Sequence, residues 1–103
     1  MKLNLNEVVT DLDGNALTRY EFINGETKEI PIKFGNLLYH ICLRKRTKTD
    51  EEASFYYSLM QKLFNAADEI ELTDDEIKAC KELLSNQSVA VKGKFLEMVS
   101  ENE

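Results

Sequence analysis

The stretch DLDGN at residues 11–15 contains the residue types of a phosphoryl-transfer loop. Asp11 and Asp13, placed before a glycine, could supply a carboxylate nucleophile and a second acid for proton transfer, with Mg²⁺ held nearby. The same residues are also typical of a β-turn, because Asp-Gly sequences adopt positive φ at little cost. The surrounding sequence has to decide between the two interpretations.

An enzyme of the haloacid-dehalogenase type, which DLDGN resembles, needs a parallel sheet made of several βαβ units. Its nucleophile follows a buried apolar strand, whereas residues 2–10 alternate with polar side chains. Asn15 takes the place of the threonine of the motif, and Asp74 and Asp75 are explained as first-turn acids of a helix. We therefore predict a turn at residues 11–15, no catalytic residue and no enzyme.

Metal and cofactor chemistry is also not indicated by the sequence. An EF-hand register over DLDGN would put Val9 and Tyr20 where the first ligand and the bidentate glutamate belong. Two cysteines and one histidine do not form a zinc pattern, and the four glycines are isolated. We predict no metal and no cofactor, and we interpret Cys42 and Cys80 as core thiols rather than a disulfide.

The segment at residues 39–48 is the best candidate for ligand binding, because it has four basic side chains and no acidic ones. Arginines close together can bind phosphates or carboxylates through their planar guanidinium groups. A solvated helix end without a ligand is the alternative. The predicted ligand-binding residues are Tyr39, His40, Arg44, Arg46 and Lys48.

The elements that must position these residues change in character along the chain. Residues 1–34 form short alternating runs, separated by Asp-Gly-Asn at 13–15 and Asn-Gly at 24–25, and this predicts an antiparallel hairpin or meander of two or three strands. Pro31 lacks a backbone N–H, so the last of these runs should be an edge strand or end there.

The apolar period after residue 34 is helical. Thr49 with Glu52 and Thr73 with Glu76 have the spacing of capping boxes, so helices should begin there. DEIEL, just before Thr73, is predicted as a short extended link. The predicted fold is α+β in one domain over 1–103, with a β-hairpin region at 1–34 and three to four helices at 35–103.

The helix predicted over 50–67 is apolar around much of its circumference. A domain of this size cannot easily bury every side of such a helix, so part of it is predicted to contact another protein. The predicted interface residues are Phe55, Tyr56, Leu59 and Leu63.

Charge and hydropathy limit the partners. The net charge of −6 argues against general binding to nucleic acid, because phosphate contacts need a basic surface. No apolar run approaches the roughly 20 residues that cross a bilayer, and the polar N-terminus does not resemble a signal peptide. We predict a cytoplasmic protein without a membrane partner.

Two blocks, DLDGN and NAADEIELTDDEIKACKELLSN, precede a short apolar segment at the end of the sequence. This arrangement resembles a loose set of small phage and prophage proteins of uncharacterised function, although EFINGETKEIPIKF after the first turn departs from their pattern. The resemblance implies a viral origin, the cytoplasm of an infected or lysogenic bacterial host, and no particular site.

The sequence therefore predicts a non-enzymatic, phage-encoded protein-binding module that acts through the apolar face of helix 50–67. It would serve either as an accessory of virion assembly or as an inhibitor of a host factor, so a host or phage protein, and the chain itself, are the predicted partners. The alternative is a homo-oligomer that binds or sequesters an anionic nucleotide through residues 39–48.

Overall fold

The computed structural model describes residues 1–65 and 69–102, which form an α+β fold and confirm the predicted fold class. An antiparallel hairpin near the N-terminus is followed by four helices within these residues. Residues 66 and 67, predicted as the end of the second helix, lie outside the described residues. The elements in chain order are β1 (Lys2–Leu3), β2 (Thr18–Ile23), β3 (Glu26–Pro31), α1 (Phe34–Arg44), α2 (Asp50–Phe64), β4 (Ile70–Glu71), α3 (Asp74–Leu83) and α4 (Val89–Glu101).

The hairpin is formed by β2 and β3 around a two-residue turn. Asn24 and Gly25 have φ values of 51° and 82°, the left-handed backbone that an Asn-Gly pair adopts most easily. Ile23 pairs with Glu26 next to the turn, and Pro31 is the last residue of β3. Both the hairpin at Asn-Gly and the end of the strand at Pro31 are confirmed.

The turn provides a test of the hairpin. We expect Gly25→Ala to lower the free energy of unfolding by about 1–2 kcal/mol, because a Cβ is unfavourable in left-handed backbone. Gly93→Ala is the matched control, since Gly93 lies in α4 with open space around it and ordinary φ. It should stabilise the protein by about 0.5–1 kcal/mol, because alanine favours helix. Urea unfolding of both variants would measure the difference, and equal effects would contradict this account of the turn.

The first apolar run of the sequence is divided between two partners. Leu3 of β1 pairs with Ile70 of β4 in a second antiparallel sheet. Within the predicted link DEIEL, Ile70–Glu71 are therefore extended, as predicted, and are also paired, whereas Asp68 lies outside the described residues. Val9 instead donates its N–H to the Ile32 carbonyl at the base of the hairpin, at 2.8 Å. Because Leu3, Val9 and Ile70 are all buried, this division ties both sheets to one core.

The helix starts agree with the capping signals. Thr49 accepts a hydrogen bond from the Glu52 N–H at 3.1 Å, and Thr73 and Glu76 form a complete capping box. Ser88 caps α4 in the same way.

In the described part of the chain, no helix is both long enough and apolar enough to cross a membrane.

The core lies between the helices and the two short sheets. Phe34 of α1 and Phe95 of α4 pack with ring centroids 5.7 Å apart. Cys42 and Cys80 are free and buried, which confirms them as core thiols. Burial raises the pKa of Cys80 to about 12, so this thiol is protonated at neutral pH. The largest fully buried side chains are Phe34, Phe95, Leu3, Leu5, Leu38, Leu59, Leu72, Leu84, Val9 and Cys80.

Candidate functional site

The DLDGN stretch forms a turn, as predicted. The Asp11 carboxylate accepts hydrogen bonds from the backbone N–H groups of Asp13 and Asn15, both at 2.9 Å. The Gly14 N–H donates to the Asp11 carbonyl at 3.1 Å, and Gly14 has a φ of 86°. The side chain of Asp11 therefore stabilises the turn locally, as aspartate commonly does.

A groove of about 880 Å³ lies beside β2. Four consecutive residues of this strand, Arg19 to Phe22, border it. Because neighbouring side chains of a strand point to opposite faces, four consecutive residues can border one groove only where it runs along the edge of the strand. The other walls are Leu37, His40, Ile41, Arg44 and Lys45 of α1, and Glu82, Leu83, Ser85, Asn86 and Gln87 around the turn between α3 and α4.

The hydrogen bonding of the hairpin shows which backbone groups of β2 face this edge. Ile23 and Glu26 flank the two-residue turn and form a hydrogen-bonded pair. At the other end of the hairpin, the Ile32 N–H donates to the Leu17 carbonyl at 2.8 Å. Since hydrogen-bonded and non-bonded pairs alternate between antiparallel strands, the odd-numbered residues of β2 bond to β3.

The N–H and carbonyl groups of Thr18, Tyr20 and Phe22 consequently point away from β3, toward the edge along the groove. Within the described residues, the sheet contains only β2 and β3, so no third strand pairs with this edge. The geometry matches that of a sheet edge ready to accept another strand.

The side chains next to this edge are unusually exposed for aromatic residues. Tyr20 and Phe22 are 74% and 77% exposed and lie on the same face of the hairpin. Their direct neighbours on β3 are Glu29 and Thr27, which give little apolar cover. Exposed aromatic side chains beside a free strand edge are typical of a contact surface for another protein.

Arg19 holds the hairpin against the helices. Its guanidinium group forms an ion pair with Glu21 and donates a hydrogen bond to the side chain of Asn36 on α1. The β2 wall of the groove is therefore nearly neutral. Both contacts also lie on the face of β2 opposite Tyr20, so the aromatic side chains are left toward solvent.

The last turn of α1 makes one end of the groove basic. Arg44 and Lys45 border the groove there, with His40 one helical turn earlier. The Lys45 ammonium lies 4.8 Å from the centre of the Tyr56 ring, in a cation–π contact that holds this side chain in place. Burial and the neighbouring Glu82 raise the pKa of Tyr56, so this phenol stays neutral.

The five predicted ligand-binding residues do not come together in one site. His40 and Arg44 line the groove beside β2, whereas Tyr39 borders smaller grooves, and its ring lies 5.4 Å from that of Phe64. Arg46 and Lys48 are exposed and border none of the described grooves. They follow the end of α1 in a non-helical segment, which separates them from Arg44 in the last turn of that helix.

The predicted interface residues on α2 are mostly turned inward. Leu59 and Leu63 are 0% and 4% exposed and belong to the core, so they offer no surface to a partner. Phe55 and Tyr56 are partly buried against that core. The exposed aromatic surface of α2 consists of Tyr57 and Phe64 instead. Two of the four predicted interface residues, Leu59 and Leu63, therefore belong to the core, on a helix that packs against α1.

Tyr20 and Phe22 are not among the site residues predicted from the sequence, although they alternate with Arg19 and Glu21. A period of two predicts one apolar face, and only the tertiary structure shows that the described residues leave Tyr20 and Phe22 exposed on it.

In the described part of the chain, no group of three acidic, histidine or cysteine side chains is arranged to hold a metal ion.

No family model, curated protein or solved structure matches the chain. The resemblance to small phage proteins therefore stays a prediction.

Proposed function

We propose that this chain is a non-enzymatic protein-binding module. Its contact surface, called the edge surface below, is the free edge of β2 together with the exposed Tyr20 and Phe22 side chains. Both roles predicted from the sequence, virion-assembly accessory and inhibitor of a host factor, fall within this proposal. The contact surface moves, however, from α2 to β2.

The observation that supports the proposal most directly is the combination of unpaired backbone with uncovered aromatic side chains. A two-stranded hairpin is only marginally stable by itself. Aromatic side chains that remain exposed bury little apolar surface and therefore add little to its stability. At protein interfaces, by contrast, tyrosine and phenylalanine are enriched because each buries a large area with few rotatable bonds. Tyr20 and Phe22 are therefore better explained by a partner than by folding.

The experiment is a selection from a displayed library of short random peptides on the immobilised protein. We expect enriched clones to lose at least about tenfold in affinity, or 1.4 kcal/mol, on the double variant Tyr20→Ser/Phe22→Ser. Tyr57→Ser is the matched control, because Tyr57 is an exposed aromatic residue on α2 outside the groove. It should bind the clones like the unmodified protein.

Two results would contradict the proposal: no clone enriched above the bare matrix, or clones that bind the double variant as well as they bind the control. A circular-dichroism melt of each variant must accompany the selection, since exposed substitutions should change stability by only about 0.5 kcal/mol per site.

The anionic-nucleotide alternative has one observation in its favour, namely that His40 and Arg44 line the same groove as Lys45. Direct measurement of nucleotide binding to the protein, beside the peptide selection, tests this alternative. If a nucleotide binds, Arg44→Ala abolishes that binding and no peptide is enriched, the small-ligand function takes precedence.

A further inference from the structure

We infer that the groove beside β2 accepts an extended, acidic segment of a partner protein, which adds to β2 as a third strand. This inference rests on the proposed function and specifies its partner chemistry. It extends the proposal from a surface that binds protein to one mode of recognition, main-chain pairing along a strand edge.

The backbone geometry is the first argument. Thr18, Tyr20 and Phe22 each direct an N–H and a carbonyl toward the same edge, at every second residue. This is the hydrogen-bond spacing of an antiparallel or parallel neighbour strand. An extended chain can satisfy all of these groups together, whereas a helix or a small anion cannot reach them along the roughly 20 Å length of the six-residue β2.

The opposite wall supplies the side-chain contacts. Leu37 and Ile41 of α1 are partly buried and stand one helical turn apart on the groove. In an added strand every second side chain would point toward this wall, and its alternate side chains would lie beside Tyr20 and Phe22. Apolar residues are therefore expected on both faces of the bound segment.

The charge of the groove selects an acidic segment. The charge of Arg19 is balanced by Glu21, so Arg44 and Lys45 determine the potential at the α1 end, with Glu82 as the opposing carboxylate. The chain as a whole carries −6, which makes this basic end an exception on an acidic protein. A carboxylate near Arg44 would be attracted there and would set the register of the strand.

A second copy of the chain fits this groove less well than a separate segment. In a pairing of β2 with β2, the second copy would bring Glu21 as the one acidic side chain of the strand, and this carboxylate is already paired with Arg19. Arg44 would then gain no carboxylate partner from that strand, whereas a separate acidic segment supplies one.

The test uses the peptides enriched in the selection described above, prepared synthetically, and the ¹⁵N-labelled full chain. On adding peptide we expect hydrogen exchange of the Tyr20 and Phe22 amides to slow at least about tenfold. The amides of Arg19 and Glu21 should change much less, because they already bond to β3. Arg44→Glu should weaken peptides with an acidic residue about tenfold, whereas Lys48→Glu, an equal charge reversal outside the groove, should have little effect.

Each outcome distinguishes the two proposals. Binding that depends on Tyr20 and Phe22 without protection of their amides would overturn strand addition and leave the protein-binding function intact. Equal losses for Arg44→Glu and Lys48→Glu would overturn the acidic register. Protection of the same amides without peptide, with a doubled mass by native mass spectrometry, would identify a second copy as the occupant. A selection that yields no clone would overturn both proposals.

Discussion

Replacement of Phe95 by alanine is expected to lower the free energy of unfolding by about 3–5 kcal/mol, the largest loss for any substitution considered in this chain. The Phe95 side chain is fully buried in α4 and packs against Phe34, the first residue of α1. Its truncation removes apolar burial, leaves a cavity and ends an aromatic contact worth about 0.5–1.5 kcal/mol. The free energy of unfolding of native proteins is about 5–15 kcal/mol, so this single substitution would remove a large part of the stability of the fold.

Urea unfolding monitored by circular dichroism would measure this loss. Leu96→Ala is the matched control, because Leu96 is the next residue of the same helix but is 41% exposed, whereas Phe95 is fully buried. Its cost should be within about 1 kcal/mol. If Phe95→Ala proves too unstable to purify, Phe95→Leu keeps most of the apolar volume and should show a smaller loss of the same sign. Equal stability of the Phe95 and Leu96 variants would show that α4 does not depend on the Phe34–Phe95 contact.

The second largest effect is expected at Glu76, the buried carboxylate that links α2 to α3. Its side chain accepts a hydrogen bond from the Lys62 ammonium at 2.7 Å and another from the Thr73 N–H at 2.9 Å. Glu76→Ala removes half of the capping box and the ion pair with α2 together. We expect a loss of about 2–3 kcal/mol near neutral pH.

The same carboxylate should make stability depend on pH. Burial alone would raise the pKa of Glu76, but the hydrogen bonds from Lys62 and Thr73 outweigh burial, so the pKa lies below its ordinary value of 4.5. A carboxyl group with a lowered folded-state pKa contributes stability that is fully present above 4.5. This contribution disappears as the pH falls through the folded-state pKa, because protonation weakens both hydrogen bonds.

Unfolding of the unmodified protein and of Glu76→Gln at about pH 7 and about pH 3 would test this pH dependence. The difference between the two proteins should be largest at neutral pH and should decrease once the pH falls below 4.5. Asp75→Asn is the control, since Asp75 is an exposed acid in the same helix turn. A difference that stays constant with pH would mean that Glu76 acts through packing and not through its charge.

The candidate site could be predicted from the sequence only in part. The basic segment was recognised from its composition, but only His40 and Arg44 of the five selected residues reach the groove. Composition does not distinguish Arg44, in the last helical turn, from Arg46, which lies beyond the helix end. Their separation depends on where α1 stops, and no capping side chain marks that end in the sequence.

The surface of α2 could not be assigned from the sequence because the helix is apolar on several sides. Periodicity locates a stripe but does not say which part of a wide stripe meets the neighbouring helix. Packing against α1 buries Leu59 and Leu63 and leaves Tyr57 and Phe64 outside. On β2 the regular alternation is typical of a half-buried strand, but among the described residues the side chains of Tyr20 and Phe22 remain exposed.

The sequence by itself determined the turns at DLDGN and Asn-Gly, the capped starts of α2 and α3, and the order of strands and helices. These features depend on backbone preferences and hydrogen bonds between residues only a few positions apart, so local residue types are sufficient. Only the tertiary structure decided that β1 pairs with β4 and that β2, α1 and the α3–α4 turn enclose one groove. Those contacts join distant segments, and their formation depends on how the whole core packs, which no local pattern specifies.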